Sequence, residues 1–157
     1  MVCKGTFCEA REFGLKTFCI YLLTRKINPV SLTTSNHFDV NIVVGDRIWP
    51  RNDDPSWQID DRVAPQSGEI VLHKTTSGPV NSTKLDQLLH NLGVTSLVVV
   101  GLTTDVCVTQ TARETADRGF RVVVAEDACT TLSEEMHKSA LLAFSLAFGV
   151  CEKQRNW

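Results

Sequence analysis

The sequence predicts an α/β fold, a three-layer αβα sandwich built on a mainly parallel sheet, and three observations carry that expectation. From Glu69 onward, short apolar runs rich in β-branched residues alternate with segments whose apolar residues recur at helical spacing. Glycines punctuate the joins at Gly93, Gly119 and Gly149. Runs such as Leu97-Val-Val-Val100 are apolar at successive positions, as in strands covered on both faces. Strands alternating with helices in this way build βαβ units around a parallel sheet.

Taken in order, residues 9–14 read as the end of a helix, with Gly14 as its stop. The chain thus opens inside that helix. Residues 15–23 read as a buried strand. Residues 24–56 hold Pro29, Gly45, Pro50 and Pro55 and show weak periodicity, so they form a long irregular connection with a short extended piece at Val40–Val44. Residues 69–73 are a short strand. Residues 82–92 are a helix, with Leu85, Leu88, Leu89 and Leu92 at i, i+3, i+4 and i+7. Residues 95–100 are a strand, 105–118 a helix and 120–125 a strand. Residues 133–148 are a helix opened by Ser133, with Glu134 and Glu135 in its first turn and a stripe of Met136, Ala140, Leu141, Phe144, Ala147 and Phe148. Residues 149–151 begin a last strand. Reactive groups in such sheets gather at the carboxyl ends of the strands, so the loops after His73, Gly101 and Glu126 are expected to converge.

Composition bounds the function. The 157 residues fit one domain, with 43% hydrophobic and 22% charged residues and a formal net charge of −2. No basic patch argues for nucleic acid, and no apolar run nears the roughly 20 residues of a membrane span. Neither partner is expected. Six cysteines, Cys3, Cys8, Cys19, Cys107, Cys129 and Cys151, include no Cys-x-x-Cys pair. A reducing, cytoplasmic setting is the expectation.

One stretch concentrates the chemistry. In Val98-Val-Val-Gly-Leu-Thr-Thr-Asp-Val-Cys107 a strand stops at Gly101, and a cysteine follows in the first turn of a helix. A helix N-terminus carries partial positive charge and unpaired N–H groups, which favour a thiolate. This is the local setting of a nucleophile.

Several segments, in this order, resemble the isochorismatase-like cysteine hydrolases: Glu69-Ile-Val-Leu-His-Lys-Thr-Thr-Ser-Gly78, Asn81-Ser-Thr, Gly101-Leu-Thr-Thr-Asp-Val-Cys-Val108, Ala112-Arg-Glu-Thr-Ala-Asp-Arg-Gly-Phe120 and Glu126-Asp-Ala-Cys129. The resemblance is dense from about residue 57 to residue 149. It implies a Rossmann-like fold, hydrolysis of a small amide or ureido C–N bond, and an Asp, Lys and Cys triad with an acyl-enzyme on sulfur. Cys107 matches the nucleophile and Lys74 the lysine. The resemblance further implies a cis peptide at Leu102–Thr103, and an oxyanion received by the N–H groups of Thr103 and Cys107. A small-molecule substrate, a homo-oligomer and no cofactor are what it leads one to expect.

The chain departs from the family pattern in three places. No Asp-x-Gln-type motif is present, so the family's first strand and its aspartate are expected to be missing, and the domain to be short at both ends. The exposed sheet edge would then favour self-association. Where many relatives carry an aromatic residue, this chain has Val80. His37, His73, His90 and His137 are scattered, unlike the zinc-binding set of the nicotinamidase branch, so no metal is expected.

Plainer roles stand beside these. Trp49, Val80, Asn81 and Thr104 are candidates for touching substrate; yet Trp49 and Trp57 read more readily as cover for the core, and Asn81 and Thr83 serve equally to cap a helix. Asp105 supplies helix N-terminal charge. Arg113, Glu114 and Arg118 read as a solvated helix face, with Glu114 and Arg118 paired at i, i+4. Cys129 and Cys151 read as structural. Three functions follow: a hydrolase working through Cys107 and Lys74, a pseudoenzyme that keeps the fold for binding or assembly, and, last, a thiol redox protein.

Overall fold

Six strands in the order β3-β1-β2-β4-β5-β6 form one sheet in the computed structural model, which describes residues 2–8, 17–23, 64–65, 67–74 and 76–153. By contact the chain divides into Met1–Thr24 with Pro65–Trp157, and Arg25–Ala64; every element below belongs to the first unit. The strands are β1 (Val2–Cys8), β2 (Thr17–Leu23), β3 (Ile70–His73), β4 (Ser96–Leu102), β5 (Arg121–Thr130) and β6 (Val150–Glu152). The helices are α1 (Leu85–Asn91), α2 (Thr109–Ala116) and α3 (Glu134–Ser145). The helix end expected at 9–14 and the connection at 24–56 lie outside the described residues.

The sheet is mainly parallel, as expected for an α/β sandwich. β2, β4, β5 and β6 pair in parallel, and β1 runs antiparallel to both β2 and β3. β3 therefore points the same way as β4, and the two carboxyl ends share one edge of the sheet. β1 corrects the sequence reading, which placed the opening residues inside a helix. Val2, Cys3, Thr6 and Phe7 are all compatible with a strand, and Gly5 disfavours helix. The ladder between β2 and β3 offers this segment partners for its backbone on both sides.

Alternation along the strands divides the core. Leu97 and Val99 of β4, with Val122 and Val124 of β5, join the larger cluster together with Leu85 and Leu89 of α1, Val108 and Ala112, and Leu141 and Phe144 of α3. Val98, Val100 and Ala125 form a second cluster. Successive residues of a strand face opposite ways, so the two clusters lie on the two faces of the sheet. The stripe predicted for α3 is narrower than expected. Leu141 and Phe144 are buried, whereas Met136 is exposed. Ser133 caps α3, its hydroxyl accepting from the Met136 N–H at 3.2 Å.

Two boundaries move for physical reasons. β5 extends to Thr130 because pairing with β4 breaks and resumes: Val99 faces Val124, but Gly101 faces Cys129. The residues between form a bulge at the carboxyl edge, a position where such irregularities re-aim side chains. The helix expected from Asp105 begins instead as a π-helical turn, Thr104–Val108, in which the Val108 N–H reaches back to the Thr103 carbonyl at 3.1 Å. π turns of this kind recur at functional sites.

Gly149 fixes where β6 begins. A side chain there would run into the Val122 carbonyl and the Phe144 ring. Gly149→Ala is expected to cost about 1–3 kcal/mol, as overpacking does elsewhere. Urea unfolding measures it, and an unchanged midpoint would show that the strand end yields freely.

Candidate active site

The carboxyl edge of the sheet brings Lys74 and Cys107 together. Lys74 follows β3 directly. Cys107 lies in the π turn that follows β4. The Lys74 ammonium donates to the Cys107 sulfur at 3.6 Å, across 33 residues of chain. Both side chains are buried, at 3% and 2% exposure. A buried ammonium needs acceptors, and Lys74 Nζ also donates to the carbonyls of Thr76 at 2.9 Å and Ser77 at 2.6 Å.

The turn that carries the sulfur is tied down on several sides. The Thr103 carbonyl accepts from the N–H groups of Val106 and Val108. Thr104 is fully buried, and its hydroxyl bonds His137 Nδ1 of α3 at 2.8 Å. The Thr131 hydroxyl donates to the Asp105 carboxylate, fastening the turn to the segment after β5. Thr111 donates to the Cys107 carbonyl at 2.6 Å. Asp105 thus has a specific partner in addition to the helix-terminal charge assigned to it. The Leu102–Thr103 peptide is cis.

The remaining candidates are placed as follows. Val80 is buried in the larger core cluster with Leu85 and Leu89. The Asn81 amide donates to the Glu114 carboxylate at 2.5 Å. Thr83 accepts from the Leu85 N–H at 3.1 Å and donates to the Pro79 carbonyl, so it serves the start of α1. Trp49 and Trp57 lie outside the described residues. Among the described residues no three His, Cys, Asp or Glu side chains gather in a group able to hold a metal, and no helix is long and apolar enough to cross a membrane.

One expectation is reversed. Glu114, read from sequence as part of a solvated face, is buried at 8% exposure. It accepts from Asn81 and from Gln110 Nε2, the latter at 2.8 Å. Arg118 pairs not with its carboxylate but with its backbone carbonyl at 2.7 Å, and approaches Asp86 at 3.8 Å. A heptad count from Cys107 would have found Glu114, because residues seven apart share a helix face. His137 left no such signal: the distance between α3 and the turn is set by packing alone.

The other two thiols with described surroundings contrast with Cys107. Cys129 and Cys151 form no disulfide. Burial pushes the Cys129 thiol from the ordinary 9.0 up to about 12, with smaller pushes from Cys151 and Asp127 and a backbone hydrogen bond from Gly101 opposing them. Burial, then the Glu126 charge, raises Cys151 to about 11. Each keeps its proton in the folded chain at a pH where the unfolded chain has lost it. Their contribution to stability is full below about pH 9 and drains away as pH climbs toward 11 and 12. Urea midpoints are expected to fall through that window, and to fall less steeply in Cys129→Ala; parallel slopes in the two proteins would contradict this.

The chain matches the family model described as Isochorismatase domain over residues 9–155. It is 40% identical over 89 residues to Nicotinamidase 3 of Arabidopsis thaliana, covering 55% of this chain and 45% of that protein. It is 32% identical over 87 residues to maleamate amidohydrolase of Pseudomonas putida, covering 55% and 41%. The crystal structure of an isochorismatase family protein from Desulfovibrio vulgaris superposes with a TM-score of 0.62 at 30% identity, covering 64% of this chain and 53% of that one. The chain spans about half the length of these relatives.

Proposed function

The chain belongs to the isochorismatase family, and from that premise we propose that it hydrolyses the C–N bond of a small amide or ureido compound through an acyl-enzyme on Cys107. The single observation that carries this reading is the buried contact of 3.6 Å between the Lys74 ammonium and the Cys107 sulfur. Nothing in core packing calls for a lysine there, and an ammonium beside a sulfur favours the anionic nucleophile. Two of the relatives are named for amide hydrolysis, a nicotinamidase and a maleamate amidohydrolase.

The chemistry follows from the groups present. The Cys107 sulfur adds to the carbonyl carbon, and the carbonyl oxygen takes the negative charge. The N–H groups of Thr103 and Cys107, in the role the resemblance assigns, receive that oxygen. The C–N bond then breaks, the leaving amine takes up a proton, and a thioester remains. Water adds to the thioester and gives up a proton, the acid departs, and the sulfur is free again. Lys74 holds positive charge beside the sulfur throughout. The two proton transfers require a carrier, which none of the described residues is assigned to be.

That gap favours a second reading, a pseudoenzyme that binds but does not turn over. The chain has no Asp-x-Gln motif. The strand beside β4 brings leucines to the carboxyl edge by register, Leu22 facing Gly101.

Ammonia release from a panel of primary amides, nicotinamide and maleamate among them, tests both. Hydrolysis in the native chain is expected to fall by roughly four orders of magnitude or more in Cys107→Ser, as when a triad member is removed elsewhere. Undiminished turnover in that variant refutes the mechanism. Covalent labelling of Cys107 without turnover of any amide establishes the second reading instead.

A further inference from the structure

Glu114 is a buried carboxylate that neither the fold nor the proposed chemistry has yet required. It sits on α2 seven residues after Cys107 and so on the same face of the helical segment. One of its oxygens accepts from Asn81 and from Gln110. The other is buried with no hydrogen-bond partner among the described residues. Carboxylates are rarely buried unless paired, and a helix exterior can be covered more cheaply by an apolar side chain.

What Glu114 touches is the loop that follows Lys74. A Cβ placed on Gly78 would collide with its carboxyl carbon and with both oxygens, so Gly78 lets the carboxylate lie flat against the loop backbone. Asn81, three residues further on, is held by the same carboxylate. Within the loop, the Thr76 hydroxyl bonds the Gly78 carbonyl and the Ser82 hydroxyl. The carbonyls of Thr76 and Ser77 in turn hold the Lys74 ammonium. A closed circuit results: sulfur, ammonium, loop carbonyls, Gly78, Glu114, and back along α2 to the sulfur.

We propose that Glu114 is a positioning residue, pinning residues 76–81 to α2 through Gly78 and Asn81 and thereby fixing the carbonyls that hold Lys74 against Cys107. The inference rests on the reading of Lys74 and Cys107 as the reacting pair. Glu114 touches neither of them and acts through the loop. Its placement on the nucleophile's own helix means that any shift of α2 carries the loop with it, so the ammonium and the sulfur keep their spacing.

The test follows the rate at which iodoacetamide labels Cys107 at neutral pH, read by peptide mass spectrometry in the full chain. The proteins are the native chain, Lys74→Met, Glu114→Ala, Asn81→Ala and the double variant Lys74→Met/Asn81→Ala. Far-ultraviolet circular dichroism checks that each is folded. Asn81 is exposed, so its variant keeps the test decisive should Glu114→Ala fail to fold. Lys74→Met is expected to slow labelling by about tenfold, the scale of a lost charge-assisted hydrogen bond. Asn81→Ala and Glu114→Ala are expected to slow it about threefold or more, and Asn81→Ala to add less than about twofold once Lys74 is gone, because the two changes act through one contact. Native labelling rates in Glu114→Ala and Asn81→Ala, with Lys74→Met slow, overturn the positioning role and leave the reacting pair intact. A full Asn81 effect in the Lys74→Met background also overturns it, since the loop would then act on the fold and not on the ammonium. A native rate in Lys74→Met removes the reacting pair and the inference with it.

Discussion

The contact between the Lys74 ammonium and the Cys107 sulfur organises the carboxyl edge of this protein. The ammonium is the group unsuited to burial by itself. An ammonium taken out of water needs acceptors, and a buried thiol is ordinarily inert. At 3.6 Å the Cys107 sulfur is one of the acceptors the Lys74 ammonium finds. The arrangement has to be built from distant parts of the sheet. β3 and β4 are separated by β1 and β2, about three strand spacings of just under 5 Å each. The long lysine side chain and the turn after β4 meet across that distance. The carbonyls of Thr76 and Ser77 then fix where the reach ends.

The turn around Cys107 is held from more directions than a helix start requires. His137 from α3, Thr131 from the segment after β5 and Thr111 from α2 all bond residues of the turn. Three later elements thus fix a five-residue π turn, so the sulfur's position depends on the packing of most of the carboxyl-terminal half. This coupling explains why the core on that face is continuous from α1 through β4 and β5 to α3. Loss of packing at Phe144, on the helix that carries His137, would be felt at the turn through the His137 bond, without touching the sulfur.

The alternating half of the fold was legible because its signals are local. The valine run of β4, the leucine stripe of α1 and the Ser133 cap each declare an element within a few residues. The pairing of Lys74 with Cys107 was legible only through resemblance, since nothing in spacing brings residues 33 apart to one point. Three features escaped for three different reasons. β1 is set by the ladder partners it finds in β2 and β3, not by its own pattern. The π turn differs from an α-helix by a single bond register. Glu114 is a carboxylate whose burial is decided by a glycine in another segment, and a reading of charge pattern along one helix assigns such a residue to solvent.

Three buried or half-buried cysteines differ in the charge that stands beside them. Cys129 and Cys151 are held as thiols by burial, and each faces a backbone carbonyl, Val99 and Leu141 respectively. Acidic neighbours, Asp127 and Glu126, push in the same direction as burial. Cys107 is at least as deeply covered as either, yet its neighbour is a cation. Depth therefore cannot distinguish the candidate nucleophile from the structural sulfurs; the sign of the adjacent charge can. The same criterion sets the candidate pair after β3 and β4 apart from the bulge of β5. The bulge, although it sits at the same edge, brings Asp127 toward its cysteine, whereas Lys74 after β3 brings an ammonium.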